Sequence, residues 1–239
     1  MLEHEPVFTH GLSADLENLL VNPADVGAEV VKADRGGDVT WHGPGQLVGY
    51  PILTVPGKRG GGMADTVAYV RSVEKVIIDT LSDFGLTDVG RLREYPGVWV
   101  APESDAPRKI AAIGVRLSRG RSMHGFALNV DPDMTWFDHM IPCGIADKAV
   151  TSMAAEGIDV SMKEVVDALV VRAEAQWASE RGVQRADVVW RQRVEDLTPF
   201  SRGEGPGEVS GTKNSPLVEA ASPDAVSYTH LTLPTTPYV

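Results

Sequence analysis

Cys143 is the single cysteine of the chain and stands in Ile141-Pro142-Cys143-Gly144-Ile145. A free cysteine among apolar neighbours can be a small buried hydrophobe. Presented on a tight Pro-Cys-Gly turn it can instead be a nucleophile, with the flanking peptide N–H groups offered to an oxyanion. A thiol with an ordinary pKa of about 8.5 is only a few per cent ionised at neutral pH, so nucleophilic work needs a cationic or basic neighbour. Lys109, His42 and His124 are the candidates, and sequence separation does not choose among them. Lys109 opens the run Lys-Ile-Ala-Ala-Ile-Gly-Val-Arg. A lysine drawn into such surroundings loses solvation, which favours the neutral amine and the role of base. The alternative is a lysine at the solvated start of a strand.

A second cluster is Arg35 to Pro51, where five glycines and two prolines surround Trp41 and His42. Glycines at this density permit positive φ and let a ligand approach the backbone, which suits a ligand-cradling loop. The competing reading of Gly36, Gly37, Gly43 and Gly45 is plain turn and bulge geometry. Trp41 can be core, and His42 a satisfied core histidine. Arg35, beside two glycines, reads as a positioning or carboxylate-pairing group. His124, before Gly125 and Phe126, is as ambiguous as His42. Neither a P-loop nor a dinucleotide fingerprint is present, so nothing signals nucleotide phosphate.

The elements that must position these residues can be read from capping and periodicity. Asp65 caps a predicted helix from Thr66 to about Phe84, with Val67, Val70, Ile77, Leu81 and Phe84 at helical spacing and Gly85 at the left-handed end. Ser161 and Glu164 form a capping box for a second helix, to about Ala178, with Val165, Leu169, Val170 and Trp177 on one side. Predicted strands run from Asp38 to His42, Gln46 to Leu53, Val98 to Ala101, Lys109 to Leu117 and Met123 to Val130. Strand runs broken by two helices, without regular alternation, indicate an α+β fold with a mixed or antiparallel sheet.

Composition narrows the function classes. The chain of 239 residues is 43% hydrophobic and 23% charged, enough for a sizeable core. No apolar run approaches the roughly 20 residues of a membrane-spanning helix, and the start lacks a signal-peptide pattern, so a cytoplasmic address and no membrane partner are expected. One cysteine and six scattered histidines do not spell a metal site. A net charge of -11 argues against nucleic acid. The charge is uneven. Arg91, Arg93, Arg108, Lys109, Arg116, Arg119 and Arg121 against Glu94, Glu103 and Asp105 leave a local +4, either a dock for an acidic protein or a solvated face with a few salt bridges. From Ser201 to Val239 the Gly, Ser, Pro and Thr content suggests a disordered tail, and its last residues look like translated cloning sequence. The expected division is a catalytic domain over 1–200 and a tail over 201–239.

Taken together, Leu-Glu-His-Glu-Pro-Val-Phe-Thr-His-Gly at the start, the segment 35–52, Lys109 to Arg116, His124 to Val130, Ile141 to Ile145 and Ala149 to Met153 resemble the octanoyl-[acyl-carrier-protein]-protein N-octanoyltransferases, the lipoate-protein ligase B family. The resemblance covers roughly Leu2 to Met153. It implies the biotin and lipoate protein ligase catalytic fold, a mixed β-sheet flanked by helices. It also implies that Cys143 takes octanoyl from the phosphopantetheine of acyl carrier protein as a thioester, while Lys109 lowers the thiol pKa and relays the proton. The acyl thioester would be held by Arg35, Gly36, Gly37, Asp38, Val39, Thr40, Trp41 and His42, by Ala112, Ile113 and Gly114, and by Gly125, Phe126 and Ala127, with His124 in support. The acceptors would be lipoyl domains of 2-oxoacid dehydrogenase E2 subunits and the glycine cleavage H protein, and no cofactor or metal is expected. Family members usually begin with a further strand and helix, which leaves an exposed sheet edge as an expectation here.

Three rival readings remain. An ATP-dependent lipoate ligase on the same fold would need no cysteine nucleophile. A cysteine hydrolase or thioesterase would pair Cys143 with His42 or His124. A non-catalytic module would bind lipoyl domains or carrier protein without ever becoming acylated.

Overall fold

A computed structural model of the chain describes residues 1–58, 62–141 and 148–178. Cys143 and the tail from Ser201 lie outside the described residues. Strands and helices follow in the order β1 (Val7–His10), β2 (Glu29–Lys32), β3 (Val39–His42), β4 (Gln46–Gly49), α1 (Thr66–Asp83), β5 (Val89–Gly90), β6 (Val98–Val100), β7 (Arg108–Ser118), β8 (Arg121–Asn129), β9 (Ala149–Val150) and α2 (Met162–Trp177). Short 3-10 turns occupy Leu16–Asn18, Pro23–Val26 and Met134–His139.

Both helices start where their capping residues stand. Asp65 accepts a hydrogen bond from the Ala68 N–H, and Ser161 and Glu164 bond each other's backbone N–H groups reciprocally. Gly85 takes φ +86° just past α1. The buried arc of α1 is Tyr69, Val73, Val76, Ile77 and Leu81. Val67, expected on that arc, lies at its margin in the first turn and is 61% exposed. Along α2, Val165, Val166, Leu169, Val170 and Ala173 are buried, while Trp177 is half-buried and donates to Ser72 Oγ on α1 at 3.1 Å. The two helices share one core with β4, β6, β7 and β8.

The larger sheet has the order β4-β8-β7-β6-β5, antiparallel throughout, and β9 adds in parallel to β7. A three-stranded sheet, β2-β1-β3, stands beside it, with β1 and β2 parallel and β1 and β3 antiparallel. A mixed α+β architecture is thus what the chain adopts. The strand expected from Gln46 to Leu53 stops pairing at Gly49, two residues before Pro51, which has no N–H to give a ladder. β1, β2, β5 and β9, at two to four residues each, were too short to show a period in the sequence. β2 is an outer edge with all four residues exposed, and Glu29 and Lys32 flank Val30 and Val31 there. The first residues lie along β4, where Leu2 and Val48 exchange backbone hydrogen bonds of 2.8 Å. Among the described residues no helix is long and apolar enough to cross a membrane.

Where β8 packs against the exit of β4, only glycine fits. A Cβ on Gly125 would stand 2.0 Å from the Gly49 carbonyl oxygen and 2.7 Å from Pro51 Cδ. Gly125→Ala is therefore expected to destabilise the chain by about 1–3 kcal/mol through overpacking. Denaturant unfolding of the two proteins measures this directly, and an unchanged midpoint would show that the strand exit gives way freely.

Candidate active site

Strand pleating sends alternate side chains to opposite faces of a sheet. On β7 the odd-numbered residues Ala111, Ile113, Val115 and Leu117 face the helical core, which leaves Ala112 on the other face. Strict alternation from Ala112 would turn Lys109 into the core. It does not, because the pairing with β6 jumps from Val98↔Ala111 to Trp99↔Lys109, leaving Ile110 as an extra residue on β7. Ile110 and Ala111 both enter the core, and the bulge returns Lys109 to the face of Ala112. There Lys109 is 6% exposed, with Nζ 4.8 Å from the centre of the Trp99 ring, a cation–π contact.

Lys109 lines a narrow cleft together with Thr40, Gln46, Ala112, Ala127, Asn129, Phe137 and Val150. The cross-strand pair Ala112↔Ala127 keeps one wall low. Of the residues expected to hold a substrate, Thr40, Ala112 and Ala127 thus share the cleft with Lys109. Val39 and Trp41, on the opposite face of β3 from Thr40, belong to a second core with Phe8, Ala28 and Met140. Trp41 stacks on Trp136 at 5.5 Å, and its Nε1 has no hydrogen-bond partner among the described residues. Ile113 and Phe126 pack into the main core. Cys143 lies outside the described residues.

The glycine-rich loop is fixed from beneath. Gly36 donates to the Val115 carbonyl of β7 at 3.1 Å, and a Cβ on Gly114 would stand 2.8 Å from the Gly36 oxygen, so these two backbones meet because both residues lack side chains. Arg35 turns inward, with Nη2 donating to Thr9 O at 2.7 Å and to Thr9 Oγ1 at 2.8 Å, and Nη1 to Gly36 O at 3.1 Å. Gly37 takes φ +91°. Asp38 accepts from the Asp15 and Val39 N–H groups and from Asn18 Nδ2, and Asn18 O in turn accepts from the Ile141 N–H at 2.8 Å. His124, at φ +58° on β8, is not among the residues that line the cleft and stands 2.5 Å from Asp34 Oδ1.

His42 is buried and both ring nitrogens are engaged, Nε2 with Thr9 Oγ1 at 3.3 Å and Nδ1 with Gln46 Oε1 at 2.7 Å. Gln46 Nε2 donates to Asn129 Oδ1 at 2.9 Å, and Asn129 Nδ2 to the Thr151 carbonyl at 2.9 Å. The Thr151 N–H closes on the Lys109 carbonyl at 2.9 Å. Gln46, Asn129, Thr9 and Thr151 were not singled out from the sequence. The available signal was an amide side chain inside each of two apolar strands, Gln46-Leu47-Val48-Gly49 and Phe126-Ala127-Leu128-Asn129, where a buried polar group demands a partner.

The positive stretch is largely neutralised. Arg91 pairs with Glu74 at 2.6 Å, Arg108 with both oxygens of Glu156 at 2.8 and 2.9 Å, and Arg116 with Asp34. Arg119 and Arg121 are exposed at the hairpin tip, ten residues along β7 from Lys109 or about 30 Å at strand rise. Among the described residues no three His, Cys, Asp or Glu side chains gather as a metal site.

Comparison with known proteins places this architecture. The profile of the lipoyl protein ligase A/B catalytic domain matches residues 1–173. The octanoyltransferase of Salinispora tropica is 50% identical over 157 residues, covering 65% of this chain and 69% of that protein. The octanoyltransferase of Acidobacterium capsulatum is 43% identical over 211 residues, covering 83% and 82%. Among solved structures, the bi-partite lipoate protein ligase of Thermoplasma acidophilum superposes with a TM-score of 0.58 at 17% identity, over 73% of this chain and 68% of that one. Lipoate-protein ligase A bound with ATP gives 0.55 at 18% identity, over 73% and 70%. At such identities these structures speak for a shared fold.

Burial pushes His42 down from an ordinary 6.5 to about 4, against the weaker opposing effect of its hydrogen bond to Gln46. Between those values the unfolded chain binds a proton that the folded chain refuses, so stability falls as pH drops from about 6.5 to 4, by at most about 3 kcal/mol from this group. Urea unfolding across that range should show a shallower fall for His42→Asn than for the parent. Parallel curves would mean that His42 is protonated in the fold.

Proposed function

Since the chain belongs to the lipoyl protein ligase A/B catalytic-domain family and, within it, to the octanoyltransferases, which are acyltransferases, we propose that it transfers octanoyl to a lysine of a lipoyl domain through a thioester on Cys143, with octanoyl-acyl carrier protein as donor. The observation that carries this reading is Lys109, which the bulge at Ile110 turns into a cleft walled by Thr40, Ala112 and Ala127. Support also comes from the anchoring of the chain on either side of Cys143. Ile141 is held to Asn18 before it, and Ala149 and Val150 pair with Arg108 and Lys109 after it.

In the first half-reaction the Cys143 sulfur attacks the thioester carbonyl, a new C–S bond forms, and the pantetheine thiolate leaves. The thiol proton passes to Lys109 and from there to the leaving sulfur. In the second, the amine of the acceptor lysine attacks the acyl carbon, an amide forms and the Cys143 sulfur leaves, with the neutral Lys109 amine taking the proton of the incoming amine and passing it to the leaving sulfur. One thioester replaces another and an amide replaces the second, so neither step calls for ATP or a resident cofactor. The histidine-dependent hydrolase reading loses support because His42 has both nitrogens engaged and His124 faces Asp34 outside the cleft.

Incubated with octanoyl-acyl carrier protein and no ATP, the parent should gain one octanoyl by intact mass, and Cys143→Ala none. Adding a lipoyl domain should discharge the adduct onto its lysine. Lys109→Met should lower the acylation rate by about 10²–10⁴-fold, the usual weight of a positioned acid–base group. Release of free octanoate in place of transfer would instead make the chain a thioesterase, and a strict requirement for ATP would make it a ligase.

A further inference from the structure

Hydrogen bonds between amide, hydroxyl and imidazole groups can usually run in either direction. Here they cannot. A guanidinium only donates, so the Thr9 hydroxyl must accept from Arg35 Nε and Nη2, at 3.2 and 2.8 Å, and its own proton is left for His42 Nε2. A backbone carbonyl only accepts, so Asn129 must present Nδ2 to Thr151 O and Oδ1 to Gln46. Gln46 must then present Nε2 to Asn129 and Oε1 to His42, whose Nδ1 must carry the proton. Fixed from both ends, the chain admits one arrangement, with a neutral imidazole in the middle. The low proton affinity that burial gives His42 agrees with this.

The hydrogen-bond chain joins the glycine-rich loop and the smaller sheet to the larger sheet, with which neither shares a ladder. Arg35 belongs to the glycine-rich loop, Thr9 and His42 to the smaller sheet, Gln46 and Asn129 to the larger one, and Thr151 follows β9. Its far end reaches Lys109. β8 ends at Asn129, and along the same edge of β7 the short β9 takes its place, pairing with Arg108 and Lys109. At this seam the Asn129 side chain holds the Thr151 carbonyl while the Thr151 N–H bonds the Lys109 carbonyl. We propose that Gln46 and Asn129 are positioning residues for acyl transfer, coupling the glycine-rich loop to the backbone of Lys109 through one directional chain of hydrogen bonds. The inference rests on the acyl-transfer reading of the cleft. Neither amide takes up a proton or a bond, and both act by fixing where Lys109 stands.

Gln46→Met and Asn129→Leu keep nearly the same volume and remove the amides. With the full chain, octanoyl-acyl carrier protein and a lipoyl domain, each is expected to lower kcat by about 100-fold while KM stays within about twofold, as a small displacement of a reacting group does. Because the chain acts as a unit, the double variant should lose no more than about threefold beyond either single one. Thermal melting verifies that each variant is folded. Should Asn129→Leu fail to fold, Gln46→Met decides alone, since the hydrogen bonds from Gln46 run towards β9 through Asn129. Folded variants with a kcat within about threefold of the parent, or a double loss equal to the product of the single losses, overturn the proposal. A change confined to KM overturns it too, by making the amides substrate contacts. A parent that transfers no octanoyl brings down the underlying reading, an outcome seen before any variant is compared.

Discussion

Everything in the cleft depends on one extra residue in one strand. Lys109 stands three positions from Ala112, and in an unbroken pleat two such residues point to opposite faces. The bulge at Ile110 cancels the mismatch, sending Ile110 and Ala111 into the helical core and Lys109 out beside Ala112. The core tolerates this because both bulge residues are apolar and fully buried against it. The partner strand contributes as well, for Trp99, directly across from Lys109, faces the same way and lays its ring beneath Lys109 Nζ. One irregularity thus sets the direction of the lysine, its aromatic neighbour and the depth of the cleft.

Around that lysine the structure uses polar side chains in places where apolar ones would pack more simply. Gln46 and Asn129 are 2% and 4% exposed, and leaving either unpaired would cost about 1–3 kcal/mol. Each is paired on both sides, so the cost is avoided at the expense of tolerance, since replacing one member leaves its neighbours without partners. Arg108 and Glu156 act similarly at the next position, where Glu156 also accepts from the Thr151 hydroxyl at 2.7 Å. β9 is only two residues long, and these side-chain bonds add to its short ladder with β7.

What the sequence made legible follows from how local each signal is. The helices were readable because Asp65, and Ser161 with Glu164, act on backbone groups three residues away. Lys109 could be picked out by its apolar surroundings. That it faces a cleft could not, because the bulge is decided by pairing with β6. The Gln46–Asn129 bond joins residues 83 apart, and nothing near either one announces the other. The choice between the two readings of the basic stretch was hidden for the same reason, since Glu74, Glu156 and Asp34, which take up three of its arginines, lie outside it in the sequence. That Gly36 and Gly114 let two backbones touch was likewise hidden, because the contact joins segments distant in the sequence.

Thr9 carries an implication for where this catalytic unit begins. It comes from a four-residue strand far from Lys109 in sequence, yet its hydroxyl is where the Arg35 guanidinium and the His42 imidazole meet. The residues given a chemical task start at Arg35, and a boundary drawn there would retain all of them. It would also cut away the floor on which Arg35 and His42 are set, along with the strand that pairs with β3. The smallest inheritable or transplantable piece of this site therefore includes Val7 to His10, and exchange of the motif segment between relatives must carry that strand with it.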